Sequence, residues 1–279
     1  MGQAATNASA RHIELSEAEF RLLQRLFYDQ VGLQLPPAKK PLVCGRLGKR
    51  LVANQLSSYQ QYHKLLVSPE GTRELEIAID LITTHETYFF REPQHFNYLQ
   101  QKILPQVAAQ ANFRVWSAAS STGEEAYTLA MVLDQHRSPK AWSVLGTDVS
   151  LGVLETARKG MFIESRGDKI PPHYLKRYCL KGQDRYAGYF LVERALRERV
   201  EFQPNNLTTP CPELGQFDLI LLRNVLIYFD PPTKQVVLRH LLDRLKPGGW
   251  LMVGHSESLQ EVPVRLELVA PSIYRLPNR

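Results

Sequence analysis

The sequence predicts an α/β protein: a doubly wound, mostly parallel sheet preceded by a small all-helical domain. Three observations lead there. From Leu15 to about Ile82 apolar residues recur at helical spacing, and no strand-like run interrupts them. After Asn112 short apolar runs alternate with helical segments, which is the pattern of a parallel sheet with crossover helices. A chain of 279 residues, 44% hydrophobic and 22% charged, has room for one large domain or two smaller ones. It can bury a full core without disulfides or a structural metal.

The elements follow in order. Ser16 and Glu19 form a capping box for a first helix, on which Phe20, Leu23 and Phe27 share a face. Pro36-Pro37 interrupts the chain, and Lys39 to Asn54 reads as a second helix. Ser57 or Ser58 caps a third through Leu66, and Pro69-Glu70-Gly71 turns into a fourth with Leu75, Ile79 and Ile82 on one face. In the second half FRVWSAA is a strand, SSTGEEAYTLAMVL turns into a helix, and AWSVLGTD is the next strand, followed by the helix SLGVLETARKG. FDLILLRN is a buried strand, PTKQVVLRHLLDRLKPGG a helix ending at its glycines, and WLMVGHSES a further strand. Between them, from roughly Leu175 to Phe202, turn signals at Gly182 and Gly188 separate β-rich runs. A small antiparallel β insertion is expected there. The expected boundaries are a helical domain over 1–82, a linker over 83–94 and an α/β domain over 95–279.

Composition narrows the classes of function. No apolar stretch approaches the ~20 residues of a membrane span, and the N-terminus MGQAATNASARHIELSE lacks the apolar middle of a secretion signal. A cytoplasmic protein without membrane insertion is expected. Cys44, Cys179 and Cys211 match no zinc spacing. His85, His95 and His255 are not placed together by the sequence, so no metal is expected. The net charge of +6 suits an acidic partner and is too small to indicate nucleic acid.

In a doubly wound sheet ligands bind at the carboxyl ends of the strands. Four segments converge there. Ser120-Ser121-Thr122-Gly123 is a tight turn from strand to helix, with Glu124 and Glu125 directly after it. A dinucleotide site wants three glycines and a helix terminus open to phosphate. Here one glycine and two carboxylates stand instead, which argues against NAD and ATP and favours a ligand with an amino group and a sulfonium. Asp148, 25 residues beyond Gly123 at the end of the next strand, suits ribose hydroxyls; read alone it is equally a helix N-cap, a role open to Ser150. Asn206-Leu207 follows the strand VEFQPN, where the pair suits an adenine or, taken alone, a turn and a core leucine. Arg223 and Asn224 end the apolar strand, where a buried polar group needs a partner.

THETYFFREPQHF, RVWSAASSTGEEAY, GTDVSLGVLETARKG, FDLILLRNVLIYFD and LKPGGWLMVGHSESL, in that order, resemble the CheR family of chemoreceptor glutamate methyltransferases. The resemblance runs from about Phe20 to Arg275. It implies the class I methyltransferase fold and transfer of a methyl group from S-adenosylmethionine, leaving S-adenosylhomocysteine, to glutamates on the cytoplasmic helices of chemoreceptors. By resemblance the cofactor contacts fall on His85, Thr87, Arg91, Gly123, Glu125, Asp148, Asn206, Leu207, Asn224 and Val225. The family usually has Asn at the place of His85 and Pro at that of Ala126. A carboxylate nucleophile is already ionised at neutral pH, with a reference pKa of ~4.3, so no general base is required. Catalysis then rests on orientation in a dry pocket. Arg91 is the expected positioner of the carboxylate, and Tyr228 a hydroxyl near the transferring methyl.

Lys39, Lys40, Arg46, Lys49 and Arg50 form a basic run with no acid among them, a candidate docking face for glutamate-rich receptor helices. The resemblance extends the expected partners to a receptor C-terminal peptide at the β insertion. A monomer is expected. The competing readings are a methyltransferase of the same fold acting on another protein or a small molecule, and a non-catalytic scaffold that keeps the cofactor site.

Overall fold

The computed structural model describes residues 13–138, 141–259 and 262–278. The chain divides after Ile82 into two units.

Among the described residues the first unit has four α-helices, α1 (Glu17–Val31), α2 (Lys40–Ala53), α3 (Tyr59–Leu66) and α4 (Thr72–Ile82). Ser16 and Glu19 cap α1 reciprocally, and Gly32 ends it at a left-handed φ of 71°. Ser58, not Ser57, caps α3 through the Gln61 N–H. Phe20, Leu23 and Phe27 of α1, Val43, Leu47 and Leu51 of α2, and Tyr59 and Tyr62 of α3 are essentially solvent-free. A charged group is also buried: Glu74 accepts from Arg50 Nε at 2.9 Å and Nη2 at 2.5 Å, and from the Tyr62 hydroxyl at 2.7 Å. Arg46 Nη1 donates to the carbonyls of Leu81 and Ile82, satisfying the C-terminus of α4. This corrects the expectation of a free basic face. Arg50 is committed to the buried Glu74 carboxylate and Arg46 to the last carbonyls of α4, and Lys40 pairs with Glu17 at 2.5 Å. Lys39 and Lys49 remain exposed.

The second unit begins with the short helix α5 (Pro93–Tyr98) and then builds a seven-stranded sheet. Its chain order runs β1 (Phe113–Ser117), α6 (Glu124–His136), β2 (Trp142–Asp148), α7 (Leu151–Lys159), β3 (Met161–Ile163), α8 (Pro172–Tyr178), β4 (Cys179–Lys181), β5 (Tyr189–Val192), α9 (Arg194–Arg197), β6 (Val200–Pro204), β7 (Phe217–Leu222), α10 (Pro231–Leu242), β8 (Leu245–Val253), β9 (Glu267–Ala270) and β10 (Ile273–Arg275). Strand order in the main sheet is β6-β2-β1-β7-β8-β10-β9. β6 through β8 are parallel; β10 is antiparallel to both neighbours. Alternate residues feed two cores: Phe113 and Val115 pack with α6 residues such as Leu129 and Val132, while Trp116 packs in the other with Val237 and Leu241 of α10. The order reverses at the β1/β7 junction, where such sheets place their ligands.

Two boundaries differ from the sequence reading. The helix α10 stops at Leu242, and the glycines lie inside β8. Leu245 to Trp250 spans only Phe217 to Leu219 of β7, so the extra residues form a bulge. Gly249 is required there, because a Cβ would stand 2.9 and 3.0 Å from the backbone oxygens of Lys246 and Asp218. The three-stranded antiparallel sheet, in order β3-β5-β4, starts at Met161 rather than near residue 175, while Val200–Pro204 pairs with β2 in the main sheet. No helix among the described residues is long and apolar enough to cross a membrane.

Candidate cofactor and active site

The turn after β1 and the end of β2 are built as one piece. Ser121 adopts a left-handed φ of 49° and donates its N–H to Asp148 Oδ2 at 2.9 Å. The Ser150 N–H donates to Asp148 Oδ1 at 3.0 Å. Ser150 itself caps α7, accepting from the Val153 N–H. Each carboxylate oxygen of Asp148 thus keeps acceptor capacity for a further hydroxyl. Burial pushes this carboxyl above its ordinary value, against the backbone N–H groups that donate to it. Gly123 holds φ at 96°, and a Cβ would lie 2.9 Å from the Ala157 Cβ and 3.1 Å from the Phe202 ring. Its role is close packing of α6 against α7.

The paired glutamates do different work. Glu124 is fully buried, accepts from the Thr122 hydroxyl at 2.6 Å and lies 3.3 Å from Arg166 Nη1; burial raises its carboxyl. Glu125 accepts from the Ser117 hydroxyl at 2.7 Å and from Arg223 Nη1 at 2.9 Å. Arg223 is the hub. Its side chain is 2% exposed, its Nη2 donates to the Arg91 carbonyl at 2.5 Å and pairs with Glu92 at 3.1 Å, and its guanidinium packs over Phe96. Three segments far apart in sequence meet on one guanidinium.

Asn224, at a left-handed φ of 59°, continues the network. Its N–H donates to Glu257 Oε2 at 2.8 Å, and its Nδ2 to Glu92 Oε1 at 3.3 Å. Glu257 also accepts from the N–H groups of Gly254 and Leu226, at 2.7 Å each. Burial raises Glu257 against these donors. For Glu92 burial acts upward too, but Arg223 and Asn224 outweigh it and hold the carboxyl below its ordinary value.

The linker is stitched to the same place. The Ser121 hydroxyl donates to the His85 carbonyl at 3.1 Å, and Arg166 Nη1 to the Thr87 carbonyl at 2.6 Å. His85 Nε2 lies 2.9 Å from the Thr83 hydroxyl. Arg91 is half-buried, donates to the Glu86 carbonyl at 2.8 Å and packs over the Tyr88 ring. Asn206 Oδ1 accepts from the Thr208 N–H and hydroxyl, which shapes the turn after β6. Leu207 is a core residue, 8% exposed among the side chains that pack around α10. Val225 and Tyr228 sit half-buried at the turn that follows β7.

Hydrogen bonds thus join His85, Asp148 and the Ser121 turn, and separately Glu125, Asn224 and the backbone of Arg91. Sequence reasoning placed Ser121 in the turn and singled out Arg223, in both cases without their partners, and missed the roles of Glu92 and Glu257. For Glu257 the signal was a glutamate in GHSES, after an apolar strand, where a buried carboxylate would have to collect backbone N–H groups.

The donor set fits S-adenosylmethionine. Ser120 Oγ and Asn205 Nδ2 are buried without hydrogen-bond partners. Their backbone N–H groups bond the carbonyls of Thr147 and Asp148, so both lie at the end of β2. The acidic side chains here favour hydroxyls and positive charge over phosphate.

The sequence matches two family profiles. Residues 85–274 match "CheR methyltransferase, SAM binding domain" and residues 18–83 match "CheR methyltransferase, all-alpha domain". The chain is 37% identical over 271 residues to the chemotaxis protein methyltransferase of Escherichia coli (strain K12), covering 95% of this chain and 92% of that one. The protein of the same description from Salmonella typhimurium (strain LT2) is 35% identical over 269 residues, with 95% and 92% covered. That of Borreliella burgdorferi is 34% identical over 275 residues, with 95% and 96% covered.

Proposed function

The chain belongs to the CheR family of S-adenosylmethionine-dependent methyltransferases, and from that premise we propose that it esterifies glutamate side chains on the cytoplasmic helices of chemoreceptors. The observation that carries the reading is the strand-end site itself: Asp148 is held by the N–H of Ser121, in the turn that leads into Glu124 and Glu125, and by that of Ser150, in surroundings hostile to phosphate. When bound, the cofactor supplies a methyl group on a positively charged sulfur and leaves as S-adenosylhomocysteine.

The residues divide the remaining work. Asp148 receives the ribose hydroxyls, and Glu125, fixed by Ser117 and Arg223, supplies negative charge for the amino-acid end of the cofactor. Asn206, Leu207 and Val225 border the base, and His85 and Thr87 bring the linker to the site. Arg91 commits Nη1 to the Glu86 carbonyl and presents the rest of its fork to the incoming glutamate, which needs no base to ionise it. Tyr228 offers a hydroxyl beside the reacting carboxylate. Docking draws on Lys39 and Lys49, the two exposed members of the basic run. A receptor C-terminal peptide fits the cavity of about 550 Å³ on the β insertion, lined by Met161, Leu180, Tyr186, Tyr189 and Leu191 among others. The protein acts in the cytoplasm, as a monomer.

The test is incubation with methyl-labelled S-adenosylmethionine and a purified receptor cytoplasmic fragment. Base-labile label on glutamate supports the proposal. Label on another residue type, or saturable cofactor binding without transfer, overturns it.

A further inference from the structure

We propose that Glu92, His95 and His255 form a binding site for a divalent cation of the zinc class, and that filling this site opposes methyl transfer. Spacing along the chain does not join these residues, since 160 positions separate the two histidines. The fold brings one ligand atom of each within 4.8 Å of the others, in the described group of three such side chains. Glu92 Oε2 stands 3.5 Å from His95 Nδ1 and 3.8 Å from His255 Nε2. Around a tetrahedral ion with bonds of ~2.0–2.1 Å, ligand atoms lie ~3.3 Å apart. The approach still needed is a few tenths of an ångström for the two pairs that involve Glu92, and the two histidine nitrogens, within 4.8 Å, close the rest of the way by turning the half-exposed His255 ring.

His95 is the second, independent sign. It is 1% exposed, yet neither of its ring nitrogens has a hydrogen-bond partner. A buried imidazole normally satisfies at least one. With both nitrogens unpartnered, the ring has a nitrogen lone pair to offer an ion. The rings of His95 and His255 meet edge to face with centroids 5.0 Å apart, and His255 remains 43% exposed, which gives an ion a way in from water. Two imidazoles and one carboxylate suit zinc and its transition-metal neighbours; calcium and magnesium prefer all-oxygen sets. Three protein ligands leave a fourth position for water.

The second half of the proposal follows from Glu92. Its Oε2 is also the atom paired with Arg223 at 3.1 Å. A cation bound there competes with the guanidinium for one carboxylate oxygen and repels it. Arg223 in turn holds Glu125 and the Arg91 carbonyl. Metal binding and the assembled cofactor site are thus alternatives. The binding half stands independently of the receptor reading; the inhibitory half rests on the methyltransferase activity.

The experiment uses the untagged full chain, stripped with a chelator, titrated with Zn²⁺ against a chromophoric chelator and separately with Co²⁺. The expected result is one equivalent bound, with the visible bands of a tetrahedral nitrogen- and oxygen-ligated Co²⁺. His255→Ala and His95→Phe should each weaken binding at least tenfold, about 1.4 kcal/mol, with thermal melts confirming that each variant is folded. His255→Ala, at a half-exposed position, keeps the test decisive if the buried substitution misfolds. No saturable binding below ~100 µM, or affinity unmoved by His255→Ala, overturns the site. So does a Co²⁺ spectrum dominated by thiolate charge transfer, which would place the ion on Cys44, Cys179 or Cys211. If Zn²⁺ binds as described but leaves the transfer rate unchanged, the inhibitory half falls and the site stands.

Discussion

Replacing Arg223 with methionine keeps most of the side-chain volume and removes the charge on which Glu92 and Glu125 depend. The Arg223 side chain is 2% exposed and each of the two carboxylates 13%. Breaking a buried pair by removing one partner costs about 3–5 kcal/mol, and the residual exposure of the carboxylates places this case near about 3. In a unit the size of Thr83–Arg279, each kcal/mol moves the melting temperature by about 2–4 °C. The expected fall is therefore about 6–12 °C near neutral pH. The loss should depend on pH with a definite sign. In the parent, Arg223 holds the Glu92 carboxyl below its ordinary value. A depressed carboxylate contributes stability above the unfolded value of ~4.3 and loses it as pH falls through the folded value. Without Arg223 that contribution is absent, so the difference between the proteins narrows as pH falls below ~4.3. Scanning calorimetry of the parent, of Arg223→Met, and of Arg223→Met combined with Glu92→Gln and Glu125→Gln reads both effects. The triple variant should regain part of the loss at neutral pH. A melt within about 2 °C of the parent, or a deficit indifferent to pH and to carboxylate neutralisation, would refute the reasoning.

Other expectations concern single contacts. Asp148→Ala should weaken S-adenosylmethionine binding by about 1–3 kcal/mol in isothermal calorimetry, and Asp148→Asn by less, since the amide keeps one acceptor oxygen; equal affinity in all three proteins would remove Asp148 from the site. Arg91→Ala should cut the transfer rate strongly yet shift stability by no more than about 1 kcal/mol, because its fixed contacts are one carbonyl and one ring face. Arg91→Lys should restore only part of the rate, and normal turnover in both would end the positioning role. Gly123→Ala should destabilise by about 1–3 kcal/mol, from its left-handed φ and the 2.9 Å approach to Ala157, read by denaturant unfolding. Charge reversal separates docking from folding: Arg50→Glu should unfold the helical unit by losing the Glu74 pair, whereas Lys39→Glu with Lys49→Glu should leave its melt in place and slow receptor methylation most at low salt. Unchanged salt dependence in the lysine pair would exclude that surface.

Local signals were legible because their physics is local. The Ser16–Glu19 capping box and the Ser150 cap each satisfy donors within three residues. Asp148 was legible as the acid ending a strand beside a glycine-poor turn, although its grip on the Ser121 N–H was not. The alternation of strands and helices is itself a periodic pattern, which is why the sheet could be read before its strand order. What escaped depends on partners remote in the chain. A basic run reads as a docking face until Glu74 and the end of α4 are known to need Arg50 and Arg46. Gly248-Gly249 reads as a helix stop because the bulge that needs them is set by pairing with β7. The meeting of His95 with His255 follows only from the fold.

The ties around Arg223 also set an order of events in folding. Glu125 and Arg223 are 98 residues apart, Arg223 and the Arg91 carbonyl 132, and the His255 N–H reaches Glu92 across 163. Contacts of such sequence separation close late, since the loops they join cost entropy first. A nascent chain that has emerged only as far as Leu242 carries the turn at Ser121, Asp148 and Arg223, yet it lacks Glu257, which takes the N–H groups of Asn224, Leu226 and Gly254. On the ribosome, then, the turn after β7 stays without its carboxylate partner until Glu257 has emerged, and a refolding chain should recover helix and sheet signal before this turn is fixed.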